Sequence, residues 1–111
     1  MNEQVKAYLE KFPCEIADLF CSLRAMVMDC AAPAPEETMW ARMPSYYAGE
    51  NFIRLIAFKD HINVEARAVM AHRDELPGYR MTPKGMLQIF AHQEIPEAVL
   101  RRIFAETLAA P

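Results

Sequence analysis

Between Asn51 and Ala66 the chain reads NFIRLIAFKDHINVEA, two runs of alternating side-chain character on either side of Lys59-Asp60. Period-two alternation is the pattern of a β-strand, because successive side chains project to opposite faces of a sheet. A two-residue loop at Lys59-Asp60 predicts a hairpin that sets Phe58 against His61, Ile56 against Asn63 and Arg54 against Glu65, with Leu55 opposite Val64 and Ala57 opposite Ile62. One face then holds only Ile53, Leu55, Ala57, Ile62, Val64 and Ala66. The other mixes Phe52, Ile56 and Phe58 with Arg54, His61, Asn63 and Glu65. A slip of one residue would exchange the two sets. Lys-Asp is a weaker turn signal than Asn-Gly, so a longer loop with a slipped register stays open.

The apolar face of that hairpin needs a cover, and the segment behind Pro13 supplies one. Ile16, Leu19, Phe20, Leu23, Met26, Val27 and Cys30 recur at three- and four-residue steps, while Glu15, Asp18, Ser22 and Asp29 take the other side of the helix. A shorter helix precedes it, with Val5, Tyr8, Leu9 and Phe12 on one stripe. The AAPAPEE segment, residues 31–37, ends the long helix, since each proline disfavours the helical region in the residue before it. Residues 38–47 read as one or two short strands broken near Pro44, followed by a turn at Gly49-Glu50. After the hairpin come a short helix over residues 68–75, a last strand over 86–91 and a helix opened by Pro96, with Val99, Leu100, Ile103, Phe104 and Leu108 inward. The pattern is α+β: helices against one antiparallel sheet of about five strands.

The 111 residues make one domain, residues 1–111, of a size that buries roughly two-thirds of its unfolded surface. Hydrophobic residues are 53% and charged residues 24%, so packing holds the fold. The net charge of -3, with no basic cluster beyond Arg101-Arg102, argues against a nucleic-acid or anionic-membrane surface. No apolar run approaches the roughly 20 residues of a membrane span, and MNEQVKAYLEKF lacks the basic-then-apolar order of a signal peptide, so the expected location is cytoplasmic. Cys14, Cys21 and Cys30 read as buried small hydrophobes of a reducing compartment; Cys14 and Cys21 stand roughly 10 Å apart along a helix, too far for a disulfide.

Catalytic patterns are sparse. His61, His72 and His92 lack metal-ligand spacing from one another or from the cysteines. There is no glycine-rich phosphate loop, Ser45 stands in Met-Pro-Ser-Tyr rather than in a nucleophile elbow, and only Cys14, at a helix start, is mildly placed for nucleophilic chemistry. Two surfaces remain. Tyr46, Tyr47, Trp40, Arg54 and Glu65 join aromatic area to a charge pair, the kind of surface that grips a small polar ligand or a partner; the plainer reading is a cross-strand salt bridge beside partly buried aromatics. The acidic pairs Glu3 and Glu10, Glu15 and Asp18, and Glu36 and Glu37 suit a hard cation or a solvated ridge.

The order YLEKFP, then Leu23-Arg24, MPSYY (residues 43–47), IAFKDHINVEA, KGMLQIF and IPEAVLRRI resembles the YdhG-like family of small bacterial domains of unknown function. The resemblance spans nearly the whole chain and rests on Met43-Pro44-Ser45-Tyr46, Lys84-Gly85 and Ile95-Pro96. It implies a two-layer α/β sandwich with the helices on one face of an antiparallel sheet. Some members are described as frataxin-like iron chaperones, and no catalytic motif comes with the likeness. The chain departs from the family at Arg42, where a glycine commonly precedes Met-Pro, which would set a bulky cation beside Tyr46. The resulting expectation is a non-enzymatic cytoplasmic domain without a cofactor that binds a small ligand or a protein through Tyr46, Tyr47, Arg54, Glu65 and Lys84. The alternative is weak binding of ferrous iron by Glu3, Glu10, Glu15, Asp18 and Glu36. Phe52, Ile56 and Phe58 on the mixed face call for a cover, either a second copy in a homodimer or the short middle helix.

Overall fold

A computed structural model describes residues 1–109, so Ala110 and Pro111 of the expected 1–111 domain lie outside the described residues. Its helices are α1 (Glu3–Leu9), α2 (Cys14–Asp29) and α3 (Glu97–Leu108), with a 3-10 turn at Met70–Glu75. The strands are β1 (Glu36–Trp40), β2 (Met43–Ala48), β3 (Asn51–Ala57), β4 (His61–Ala66), β5 (Arg80–Met81) and β6 (Leu87–Phe90). They form one antiparallel sheet in the order β1-β2-β3-β4-β6-β5, flanked by the helices. This is the expected α+β architecture with one strand more. The sixth is β5, whose two residues are too few to show any period.

The central hairpin has the register its alternation dictates. Ile53 faces Ala66, Arg54 faces Glu65, Leu55 faces Val64, Ile56 faces Asn63 and Ala57 faces Ile62. The Phe58 N–H donates to the His61 carbonyl at 2.8 Å, closing the two-residue loop at Lys59-Asp60. All six residues of the apolar face are buried. Phe20, Leu23 and Val27 of α2 and Leu100, Ile103 and Phe104 of α3 are buried with them in one core, each side chain contributing about 1.5–3 kcal/mol. The 3-10 turn packs on α3, where His72 meets Glu106 at 3.0 Å. Its Met70 lines a cleft together with Phe52 and Glu65 of the mixed face.

Three expectations need correction. The first strand pair breaks at Ala41-Arg42, not near Pro44: Glu36 pairs with Tyr47 through to Trp40 with Met43, and Pro44 lies in β2 opposite Met39. The β2–β3 ladder starts only at Ser45, so the proline's missing N–H costs no bond on that side. Cys14 and Cys21 are exposed rather than buried, because the seven-residue step keeps both on the side of α2 opposite its packed stripe. Tyr46 is turned inward. Its partner in the register is Ile53 of the core face, and its side chain is fully buried beneath the helices.

That burial is made tolerable by a polar clamp. The Tyr46 hydroxyl donates to Glu37 at 2.8 Å, Arg24 of α2 donates Nε to the same carboxylate at 2.6 Å, and the Asn2 backbone N–H donates to its other oxygen at 2.8 Å. Asn2 also caps α1 through its side chain, which accepts from the Val5 N–H at 2.8 Å. One carboxylate on β1 thus ties α1, α2 and β2 together. Burial by itself would raise Glu37, but Arg24, Asn2 and Tyr46 together hold it below the usual carboxylate range. Burial first, and then the hydrogen bond to Glu37 and its charge, push the Tyr46 phenol strongly up.

Candidate functional site on the uncovered sheet face

The helices leave the other side of the sheet open, and Arg54 organises one end of it. Its guanidinium lies against Phe52 at 3.8 Å and Trp40 at 4.1 Å. Nε donates to Ser45 Oγ at 3.1 Å, one terminal nitrogen donates to the Tyr47 hydroxyl at 3.0 Å, and the other reaches Glu65 Oε1 at 3.4 Å. Only 6% of Arg54 is exposed. A cation withdrawn this far from water is stable only when its donors are satisfied and its flat faces are packed, and both conditions hold. Arg54 is therefore a positioning residue. It aligns Tyr47, Phe52 and Glu65, while Trp40 remains 52% exposed on the sheet edge.

Beside this cluster opens a cleft of about 370 Å³. It lies at the end of the sheet, lined by the β2–β3 turn with Glu50 and Asn51, by the turn that carries Lys84, Gly85 and Met86, and by Ala66, Arg67 and the α3 residue Thr107. Phe52, Glu65 and Met70 also line it. The Lys84 turn is rigidly closed: the Thr82 N–H donates to the Met86 carbonyl at 2.8 Å, Gly85 N–H to the Thr82 carbonyl at 2.9 Å, and Met86 N–H to Thr82 Oγ1 at 3.0 Å. Gly85 has φ +85°, a backbone conformation that favours glycine, and a Cβ there would stand 3.2 Å from Met70 Cγ, so that side chain would have to shift slightly. Arg67, at the rim, donates to the Glu106 and Thr107 carbonyls at 3.0 and 2.9 Å and so caps the end of α3.

Of the five sequence-predicted contacts, Glu65 and Lys84 line the cleft. Arg54 and Tyr47 stand behind Glu65 and Phe52, with the Tyr47 and Phe52 rings 5.9 Å apart. Tyr46 is on the other side of the sheet and is withdrawn from the site. Arg42 does not sit beside it: that side chain is exposed on the β1–β2 turn, near Tyr8 and Lys11. The roles of Glu50, Met70 and Met86 were invisible in sequence, because nothing local in those segments says that they meet. At the far end of the same face His61 stacks between Phe58 at 4.6 Å and Phe90 at 4.8 Å, which partly shelters the apolar surface there.

The acidic residues named for iron do not converge. Glu3 pairs with Lys6 on α1, Glu15 and Asp18 are exposed on α2, and Glu36 is exposed on β1. Glu36 and Glu37 are neighbours in sequence but project to opposite faces of a strand, Glu36 with Tyr47 and Glu37 with Tyr46. Among the described residues no three His, Cys, Asp or Glu side chains are grouped so as to hold a metal ion. Cys30 donates its thiol to the Val27 carbonyl at 3.0 Å, and burial pushes its pKa up, away from nucleophile chemistry.

No family model, curated protein or solved structure matches this chain. Among the described residues no helix is long and apolar enough to cross a membrane.

Proposed function

We propose that this chain is a non-enzymatic binding domain and that the cleft between β3, β4 and the Thr82–Met86 turn holds a small polar ligand. The observation that carries the reading is the meeting of Glu65 and Lys84, from separate segments, in one concave space that Phe52 also lines, at the end of the sheet beside α3. Such a site, mostly preformed and with a few convergent polar groups, is the usual form of a small-molecule pocket. The aromatic and hydrogen-bonded cage around Arg54 holds Glu65 and Phe52 in place before any ligand arrives, which lowers the ordering cost of binding. The YdhG-like segments fall where this reading needs them: Met43-Pro44-Ser45-Tyr46 in β2, which supplies Ser45 to Arg54, and Lys84-Gly85 on the cleft wall. Exposed free cysteines suit the reducing cytoplasm.

A titration of ¹⁵N-labelled protein with a library of small acids, amines and amides tests the reading. Binding fragments should shift the amides of residues 50–52, 65–67 and 84–86 together. Shifts confined to other surfaces, or none at all, refute it.

A further inference from the structure

We propose that the ligand of this cleft is amphoteric, one amine and one carboxylate joined by a short hydrocarbon body; the inference rests on the cleft being the ligand site. The lining is balanced in charge, with Lys84 and Arg67 against Glu50 and Glu65. Two of the four are already engaged. Arg67 spends donors on the terminal carbonyls of α3, and Glu65 faces Arg54. Lys84 and Glu50, both exposed, make no ion pair with each other or with any other described residue. They come from segments on either side of β4 in the strand order, Lys84 on the turn before β6 and Glu50 on the β2–β3 turn, and both line the cleft.

A phosphate or a dicarboxylate bound to Lys84 would bring its excess charge toward Glu50 and Glu65, and a polyamine bound to Glu50 would meet Lys84 and Arg67. A molecule with one charge of each sign can pair with both Lys84 and Glu50 without leaving a like-charge contact. Its body would lie on Phe52, Met70 and Met86, whose apolar surface gains nothing from a densely polar ligand such as a sugar phosphate. The volume of about 370 Å³ equals that of about a dozen liquid waters, which suits a small metabolite and is too little for a peptide.

The test uses δ-aminovalerate as the probe, with valerate and pentylamine as single-charge controls of matching length, read by the amide shifts of residues 50–52 and 84–86. The amphoteric probe should bind saturably, at least about fivefold more tightly than either control. Lys84→Ala and Glu50→Gln should each weaken it about fivefold and leave the urea unfolding midpoint unchanged, since both side chains are exposed. If valerate or pentylamine binds at this cleft as tightly as δ-aminovalerate, the amphoteric proposal is wrong while the cleft remains a ligand site. If none of the three shifts these amides saturably, the proposal is also overturned, and the fragment titration then decides separately whether the cleft reading falls with it.

Discussion

Ala41 and Arg42 carry backbone strain that their side chains do not relieve. Their φ values are +49° and +66°, the left-handed pair that a two-residue hairpin turn requires and that Asn-Gly supplies at least cost. Glycine reaches the conformation of position 42 without a Cβ penalty. Arg42→Gly should raise the unfolding free energy by about 0.5–1 kcal/mol, seen as a higher urea midpoint with an unchanged slope. Arg54 is the opposite case, a residue whose replacement should cost heavily. Arg54→Ala removes the donors to Ser45 Oγ and the Tyr47 hydroxyl and leaves Glu65 without its partner, so it should destabilise by about 2–3 kcal/mol. The sole tryptophan reports on it directly. Trp40 emission should shift to the red in the folded variant as its ring loses the guanidinium, and an unchanged spectrum would mean that the stacking is idle.

At the scale of elements, the Arg24–Glu37–Tyr46 clamp makes stability depend on pH at both extremes. Glu37 has a lowered pKa in the fold, so its contribution is complete above about pH 4.5, the value for a free glutamate, and is lost as pH falls through the folded value. Tyr46 has a raised one. Its contribution is complete below pH 10 and is lost as pH rises beyond it, since unfolding then releases a proton that the folded state keeps. Glu37→Gln should cost about 2 kcal/mol at neutral pH and flatten the acid limb of the stability profile, and Tyr46→Phe should flatten the alkaline limb. Chemical denaturation from pH 3 to 11 checks both, and parallel curves for wild type and variants would contradict the clamp. The helices around it were legible because their apolar stripes repeat every turn. The clamp was not. Reading Glu36 and Glu37 as one acidic pair overlooked that β1 begins there, and only a strand's alternation sends Glu36 to solvent and Glu37 into the core.

For the whole molecule, the two layers follow from one short stretch: a hairpin with an entirely apolar face admits only one side for the helices, and α2 and α3 bring the stripes that fit. The same register leaves Arg54 and Glu65 projecting together from the open side, so the presence of a polar face was readable from residues 51–66 alone. The cleft beside it was not, because its walls come from segments around residues 50, 65 and 85 whose meeting depends on β6 pairing with β4 across a long connection. Crystals of the protein soaked with a diverse fragment set test the central claim most directly. Ordered fragments should gather between Phe52, Glu65 and Lys84, with the Arg54 cage unmoved. Fragments that collect instead in the apolar groove of Leu9, Phe12 and Cys14 between α1 and α2, with only water in the cleft, would contradict it.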